Sequence, residues 1–171
     1  MSITSRPTLL GPQHRLDKFD CANPTLNDWL IRHARQSQAS GSAKTFVVSE
    51  NEYVAGYFSL TIGQIEAVDA PERIRKGMGQ YPVPVVILAR LAVSQNFQGQ
   101  GIGVALLIEA IRRALTIAEH AGIRAILTHP INAQAAHFYG KFGFEPSPLQ
   151  PGQLLLLLKD ARRLYKGPEN S

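Results

Sequence analysis

Apolar and polar positions along this chain fall into blocks of different period, and the periods predict an alternation of strands and helices. Leu26, Trp29, Leu30 and His33 or Ala34 recur at helical spacing. They follow an Asn23-Pro24 start, with Asn as the cap and Pro as the first helical residue, and Ser40-Gly41-Ser42 ends the helix. Thr45 to Ser49 and Val54 to Ile62 read as two strands joined by a turn at Glu50-Asn51-Glu52. Pro71 to Pro84 breaks the pattern and reads as a loop, or a loop with a short helical turn. Val85 to Val93 is apolar almost throughout, as a central strand buried on both faces would be. Beyond it Leu107, Ala110, Ile111, Ala114, Leu115 and Ala118 form one apolar helical stripe, with Gly122 placed as the C-cap. Glu109, with Arg112 and Arg113, is placed on the opposite, solvent side. Ile123 to Thr128 is a further strand, Ala133 to Phe142 a helix and Leu154 to Leu158 the closing strand. This order predicts an α/β fold around one sheet, with a right-handed parallel crossover at the strand–helix–strand unit.

Composition adds limits. The 171 residues fit a single domain, and no repeat, low-complexity tract or linker divides them. No run of about 18 apolar residues exists, so no membrane-spanning helix is expected. Met1 to Pro7 lacks the apolar core of a signal peptide, and the single Cys21 cannot form an internal disulfide. Both point to the cytoplasm. The five histidines show no metal-ligand spacing with Cys21 or the acids, so no metal is expected. Cys21 reads as a small buried thiol, since no His or acid pattern supports a nucleophile. A net charge of +5 favours polyanionic partners, a nucleic acid or a polyphosphate cofactor. The basic residues are spread out: Arg32 and Arg35; Arg73, Arg75 and Lys76; Arg112 and Arg113; Arg162, Arg163 and Lys166. Any one pair reads equally as a solvated helix face.

The densest chemistry is at Gln98-Gly99-Gln100-Gly101-Ile102-Gly103, where a strand passes into a helix. Glycines there let the backbone approach a ligand and leave the first helical N–H groups unpaired at the positive end of the helix dipole. The segment is either a phosphate or pyrophosphate site or simple turn chemistry. It is neither G-x-G-x-x-G nor a P-loop. Downstream, Asn132-Ala133-Gln134-Ala135-Ala136-His137-Phe138-Tyr139 precedes Gly143-Phe144. Read as Q-x-x-G-x-G and N-x-x-A-x-x-F-Y-x-x-x-G-F, the two segments resemble the acyl-CoA-dependent N-acetyltransferases of the GNAT superfamily. The resemblance spans residues 15 to 160 and implies the GNAT fold, a mixed central sheet with helices on both faces. It implies acetyl-CoA as donor. Gln98, Gly99, Gln100, Gly101, Ile102 and Gly103 would hold the pyrophosphate, and Leu91, Ala92 and Val93 would pair with the pantetheine arm and orient the thioester. Asn132 and Phe138 would touch the cofactor.

Tyr139 stands where that family keeps a catalytic tyrosine. A phenol titrating near 10 stays protonated at neutral pH and can hand its proton to a departing thiolate. The helical pattern by itself leaves Tyr139 equally open as a core aromatic. No carboxylate lies on Val85 to Val93; Glu66 is the nearest acid, and a solvated strand end is its other reading. A substrate amine of low pKa, such as the α-amine of an aminoacyl ester, needs no base.

The N-terminal half narrows the resemblance. Phe19-Asp20-Cys21-Ala22-Asn23-Pro24-Thr25-Leu26-Asn27-Asp28-Trp29-Leu30 is similar to a D-x-F-D-C-x-N-x-x-L-x-x-W-L segment. With Ala43 to Val48, Gly56 to Leu60, Leu88 to Val93 and Leu158-Lys159-Asp160, it resembles the GNAT toxins of bacterial type II toxin–antitoxin systems. That implies acetylation of the α-amine of aminoacyl-tRNA and arrest of translation. It also implies a ribbon-helix-helix antitoxin, operator DNA bound through the antitoxin complex, and a homodimer. Candidate tRNA contacts are Arg32, Arg35, Lys44, Arg73, Arg75, Lys76 and Arg90. Arg90, beside a buried strand, reads alternatively as a structural ion-pair partner. A GNAT enzyme for a small amine or a protein N-terminus, and a non-catalytic binding module, are the competing readings.

Overall fold

Asn23 caps the first helix as its position dictates. Its Oδ1 accepts from the Leu26 amide at 3.0 Å, and Pro24 fills the first helical position. The computed structural model describes residues 6–165. Met1 to Ser5 of the leader reading, and Lys166 of the last basic group, lie outside them. Among the described residues two compact units emerge, residues 6–61 with Ala89–Ala110 and Ile62–Leu88 with residues 111–165.

In the first unit, β1 (Thr8–Leu9), β2 (Lys44–Glu50) and β3 (Tyr53–Ile65, of this unit as far as Thr61) pair antiparallel in sequence order. Asn51 and Glu52 both take positive φ, 51° and 69°, the backbone hand that a tight hairpin needs to match strand twist. Helix α1 (Pro24–Asp28) runs on through a π-helical turn (Trp29–His33) into α2 (Ala34–Ser40), which Gly41 ends at φ 83°. Leu26, Leu30 and Ala34 bury their stripe against Leu16, Phe19, Val47, Val54, Tyr57 and Ala92. The opposite sheet face receives the start of α4 (Ile102–Ala118). A Cβ on Gly56 would lie 3.0 Å from Leu106 Cδ1 and 3.1 Å from Ile102 Cγ2. Helices therefore cover both faces.

Strand β4 (Val83–Val93) belongs to the second unit as far as Leu88, and there it pairs parallel with β5 (Ala125–Thr128) from Val85↔Ala125 to Leu88↔Thr128. β7 (Leu154–Leu157) runs antiparallel to β5, and β6 (Glu145–Pro146) antiparallel to β7. Ile65, Ile74, Val83, Val85, Leu127, Leu155 and Leu157 make its core. Among the described residues the strands number seven, in the order β1-β2-β3-β4-β5-β7-β6, and the sheet is mixed. The short helix α3 (Glu72–Arg75) lies in the Gly/Pro-rich segment, and Arg124 donates to the carbonyls of Ile74, Arg73 and Lys76 at its end. Helix α5 is Ala133–Gly140 and α6 is Leu158–Tyr165. Among the described residues no helix is long and apolar enough to cross a membrane.

Four sequence expectations need correction. Glu109 does not face solvent: it is 2% exposed and pairs with Arg6 at 2.9 Å, a partner remote in sequence. Helix α4 ends at Ala118, and Gly122 lies beyond it without the left-handed φ of a cap. The fifth strand starts at Ala125, although the Arg124 amide still donates to Pro84 O at 2.8 Å and the Arg124 carbonyl accepts from the Leu158 amide at 3.1 Å. Leu158 opens α6 rather than closing β7.

Candidate active site

The first unit holds the glycine loop on a fixed base. The Ser94 amide donates to Ala55 O at 2.7 Å, and the Gln95 amide to Asp20 O at 2.8 Å. Buried Ser94 completes the clamp, its Oγ accepting from the Asp20 amide and donating to the Asp20 carbonyl, both at 3.2 Å. The Asp20 carboxylate accepts from the Ala22 amide at 2.9 Å and from Asn27 Nδ2 at 3.0 Å, and these bonds hold its carboxyl below the usual value. The Asp-Cys-x-Asn segment is thus a brace for the loop. Cys21 itself is half-buried, its thiol pushed up by burial and directed at Asn23 O, so it lacks the thiolate a nucleophile needs.

After a 3-10 turn (Gln95–Phe97), Gln98 Nε2 donates to Val93 O at 3.0 Å and closes the loop onto the strand end. Gly99 and Gly101 both stand at φ 81°, with nothing within 4 Å of where a Cβ would be. Left-handed glycines alternating with ordinary residues turn successive amides toward one side, an anion-binding concavity. Gly101 O accepts the Ala105 amide at 3.1 Å, so the helical ladder starts there and the amides of Ile102, Gly103 and Val104 precede it. The 17-residue α4 puts its positive end behind them, and no carboxylate lies between Gln98 and Gly103. Open backbone, amide donors and the absence of acid fit a pyrophosphate. The strand end fits the arm that follows it: pairing with β5 stops at Leu88, so from Ala89 onward that edge of β4 has no β5 neighbour and can take an extended ligand. Ala92 is buried, and Leu91 and Val93 are half-buried.

The second unit holds the phenol. Asn132 Oδ1 accepts the Ala135 amide at 2.8 Å and caps α5. Tyr139 is 6% exposed, its ring 5.3 Å from those of half-buried Phe138 and buried Phe144. Burial pushes its hydroxyl up to about 12, while a hydrogen bond with the Thr128 side chain works in the opposite direction. Thr128 Oγ1 also donates to Leu88 O at 2.9 Å. Tyr139 therefore sits at the last rung of the β4–β5 ladder. Thr128 and the Asp20–Ser94 clamp were missed in the sequence; a lone polar residue ending the apolar run Ala125–Thr128 is the signal that could have flagged the first.

The basic candidates differ in what they touch. Arg32 pairs with Asp28 at 2.8 Å, and Arg35 donates to His14 O at 2.6 Å and Gly11 O at 3.3 Å. Arg73 bridges Glu145 and Asp160 at 2.9 and 2.8 Å. Lys44, Arg75 and Lys76 are exposed. Arg90 has no carboxylate partner among the described residues and lies over the Trp29 ring at 3.9 Å. Glu66 is exposed at the end of β3. Among the described residues no group of three or more His, Cys, Asp or Glu could hold a metal.

The open edge of β4 and the amide loop at a long helix in the first unit, and the buried phenol in the second, are each features that an acyl-CoA-dependent acyltransferase uses. The chain belongs to the acetyltransferase (GNAT) family, whose sequence profile matches residues 10–144. Acetyl-CoA is accordingly its acyl donor. It is 40% identical over 164 residues to the tRNA-acetylating toxin of Mycobacterium tuberculosis (strain ATCC 25618 / H37Rv), across 96% of this chain and 98% of that protein. AtaT complexed with acetyl-methionyl-tRNAfMet has a similar fold, with a TM-score of 0.86, 24% identity, and 93% of this chain and 98% of that one covered. The AtaT-AtaR complex bound to DNA matches with a TM-score of 0.77, 24% identity, and coverage of 94% and 99%.

Proposed function

We propose that the protein is a toxin that transfers the acetyl group of acetyl-CoA to the α-amine of aminoacyl-tRNA, blocks translation and is neutralised by a cognate antitoxin. The observation that carries this reading is the near end-to-end similarity to a tRNA-acetylating toxin. The family's chemistry and this chain's residues support it.

Acetyl-CoA supplies an acetyl group activated as a thioester. The amides from Gln98 to Gly103 bind the pyrophosphate, with Asn132 and Phe138 as further contacts. The edge of β4 at Leu91, Ala92 and Val93 aligns the thioester carbonyl for attack. The amine nitrogen bonds to the carbonyl carbon, the C–S bond breaks, the nitrogen loses a proton to water, and Tyr139 gives its proton to the departing sulfur. The ester of an aminoacyl-tRNA lowers the amine's pKa, which suits a central strand without a carboxylate. Lys44, Arg75, Lys76 and Arg90 are the proposed tRNA contacts; of the other candidates, Arg32, Arg35 and Arg73 are held by the chain's own carboxylates and carbonyls. The same reading gives the protein a ribbon-helix-helix antitoxin, operator DNA bound through the toxin–antitoxin complex, a cytoplasmic site of action and a homodimeric state.

The test is transfer of labelled acetyl from acetyl-CoA to total charged tRNA, comparing the intact chain with Tyr139→Phe. Label on the aminoacyl end, lost at least a hundredfold in the mutant at unchanged melting temperature, is the expected result. An unlabelled tRNA pool, with acetyl-CoA bound and a small amine or protein N-terminus acetylated instead, would overturn it.

A further inference from the structure

Several of the arginines named above are satisfied by the chain itself: Arg32 and Arg73 by carboxylates, Arg35 and Arg124 by backbone carbonyls. Arg90 is not. It is half-buried on β4, and its polar contact is the Ser59 hydroxyl at 3.5 Å. Burial acts on the guanidinium to lower its affinity for its proton, and no carboxylate among the described residues offsets that.

Its placement is built rather than incidental. The guanidinium carbon lies over the Trp29 ring, 3.9 Å from its centroid, and Trp29 stacks on Tyr57 with centroids 6.0 Å apart at 14°. Tyr57 is fully buried and locked by a hydrogen bond from its hydroxyl to Leu26 O at 2.8 Å. Trp29 opens the π-helical turn, an insertion that resets where the following side chains point and that often accompanies function. Stacking occupies the face of a guanidinium and leaves its N–H edge free, in the fork geometry that matches two oxygens of a phosphate.

The phosphate in question is not the one that the glycine loop would hold. On β3, Gly56 faces Ile102 and Leu106 of α4, whereas the next residue, Tyr57, and Ser59 face the side where Trp29 and Arg90 lie. The loop at the head of α4 and the Arg90 stack therefore belong to opposite faces of the sheet in this unit. We propose that Arg90, held over the Trp29 ring, binds a backbone phosphate next to the aminoacylated end of the acceptor nucleic acid, and so selects aminoacyl-tRNA over free aminoacyl compounds. This rests on the proposed function and names the residue that sets its acceptor class.

The test uses two acceptors carrying the same amide-linked amino acid, an aminoacyl-adenosine without a phosphodiester and an aminoacyl-cytidyl-cytidyl-adenosine with two. The intact chain, Arg90→Gln and Arg90→Lys are compared by kcat/KM on each, with melting temperature as the folding control. The expected result is a preference for the trinucleotide in the intact chain that falls about tenfold in Arg90→Gln and is partly kept in Arg90→Lys. The KM for acetyl-CoA stays the same throughout. Equal losses on both acceptors, or an unaltered preference, would overturn the proposal. A changed KM for acetyl-CoA would assign the guanidinium to a donor phosphate and overturn it too. If the intact chain acetylates neither acceptor nor charged tRNA but does acetylate a small amine, the functional reading fails first and the role of Arg90 falls with it.

Discussion

Burial keeps the Tyr139 phenol protonated, pushed up to about 12, and the same burial makes the proton harder to release. If Tyr139 is the acid proposed above, Thr128 works against that cost: its hydroxyl, which donates to Leu88 O at rest, can turn its one proton to the phenol oxygen as charge develops there. Thr128→Val, which keeps the shape and deletes the hydroxyl, should lower kcat about tenfold with little change in KM for acetyl-CoA, and Thr128→Ser should restore most of it; steady-state kinetics on charged tRNA reads both. The pH dependence has a definite sign. Folded Tyr139 holds its proton to about 12 and an unfolded tyrosine releases it near 10, so its contribution to stability is complete below 10 and lost as pH rises from 10 to 12. Alkaline melting curves of the intact chain should fall more steeply across that window than those of Tyr139→Phe, and kcat should show no downturn from Tyr139 up to pH about 10. Tyr139 and the glycines could be singled out as candidates in the sequence because a short run of neighbours defines them. Thr128 was not, since its role follows from the Leu88↔Thr128 pairing of strands far apart in sequence. Glu109 misled for the same reason, its partner Arg6 lying 103 residues away.

The turn from β4 into α4 concentrates the geometric demands on single elements. A Cβ on Gly101 would meet nothing within 4 Å, so Gly101→Ala introduces no clash and its cost is that of a left-handed φ of 81°, about 1–2 kcal/mol. The loop can escape that strain by turning its amides away, and the KM for acetyl-CoA should rise about tenfold while the melting temperature moves little. Gly56→Ala should do the reverse. Its Cβ would crowd Leu106 at 3.0 Å, Ile102 at 3.1 Å and the Ala92 carbonyl at 3.3 Å, so a thermal melt should show several degrees of destabilisation. Helices with a capping residue and a clean stripe were legible, as Asn23, Gly41 and Asn132 attest. The elements that escaped were those defined by partners: the two-residue strands β1 and β6, and α6, whose eight residues begin inside a leucine run that reads as strand. Two of its apolar positions, Leu158 and Ala161, are buried while Leu164 is 62% exposed, too short a stripe to betray a helix.

At the scale of the whole chain the excess of cations divides into those the fold uses and those it leaves in water. Arg6, Arg35, Arg73 and Arg124 hold Glu109, the Gly11–His14 turn, the Glu145/Asp160 pair and the end of α3. Removing one of these should cost stability and leave the salt dependence of tRNA acetylation as it was. Lys44, Arg75 and Lys76 are exposed and enter no ion pair among the described residues. If they meet a polyanionic acceptor, each phosphate contact releases counterions, and the logarithm of affinity falls with the logarithm of salt by somewhat less than one per contact. The KM for charged tRNA should therefore climb steeply between 50 and 200 mM salt, a range over which several phosphate contacts cost orders of magnitude. The KM for amide-linked aminoacyl-adenosine, which carries no phosphate, should stay nearly flat. Lys76→Gln should reduce the slope for tRNA by about one and leave the adenosine line and the melting curve in place. A slope unchanged in Lys76→Gln and in matching variants of Lys44 and Arg75, but reduced in Arg35→Gln or Arg73→Gln, would reverse this division of the charges.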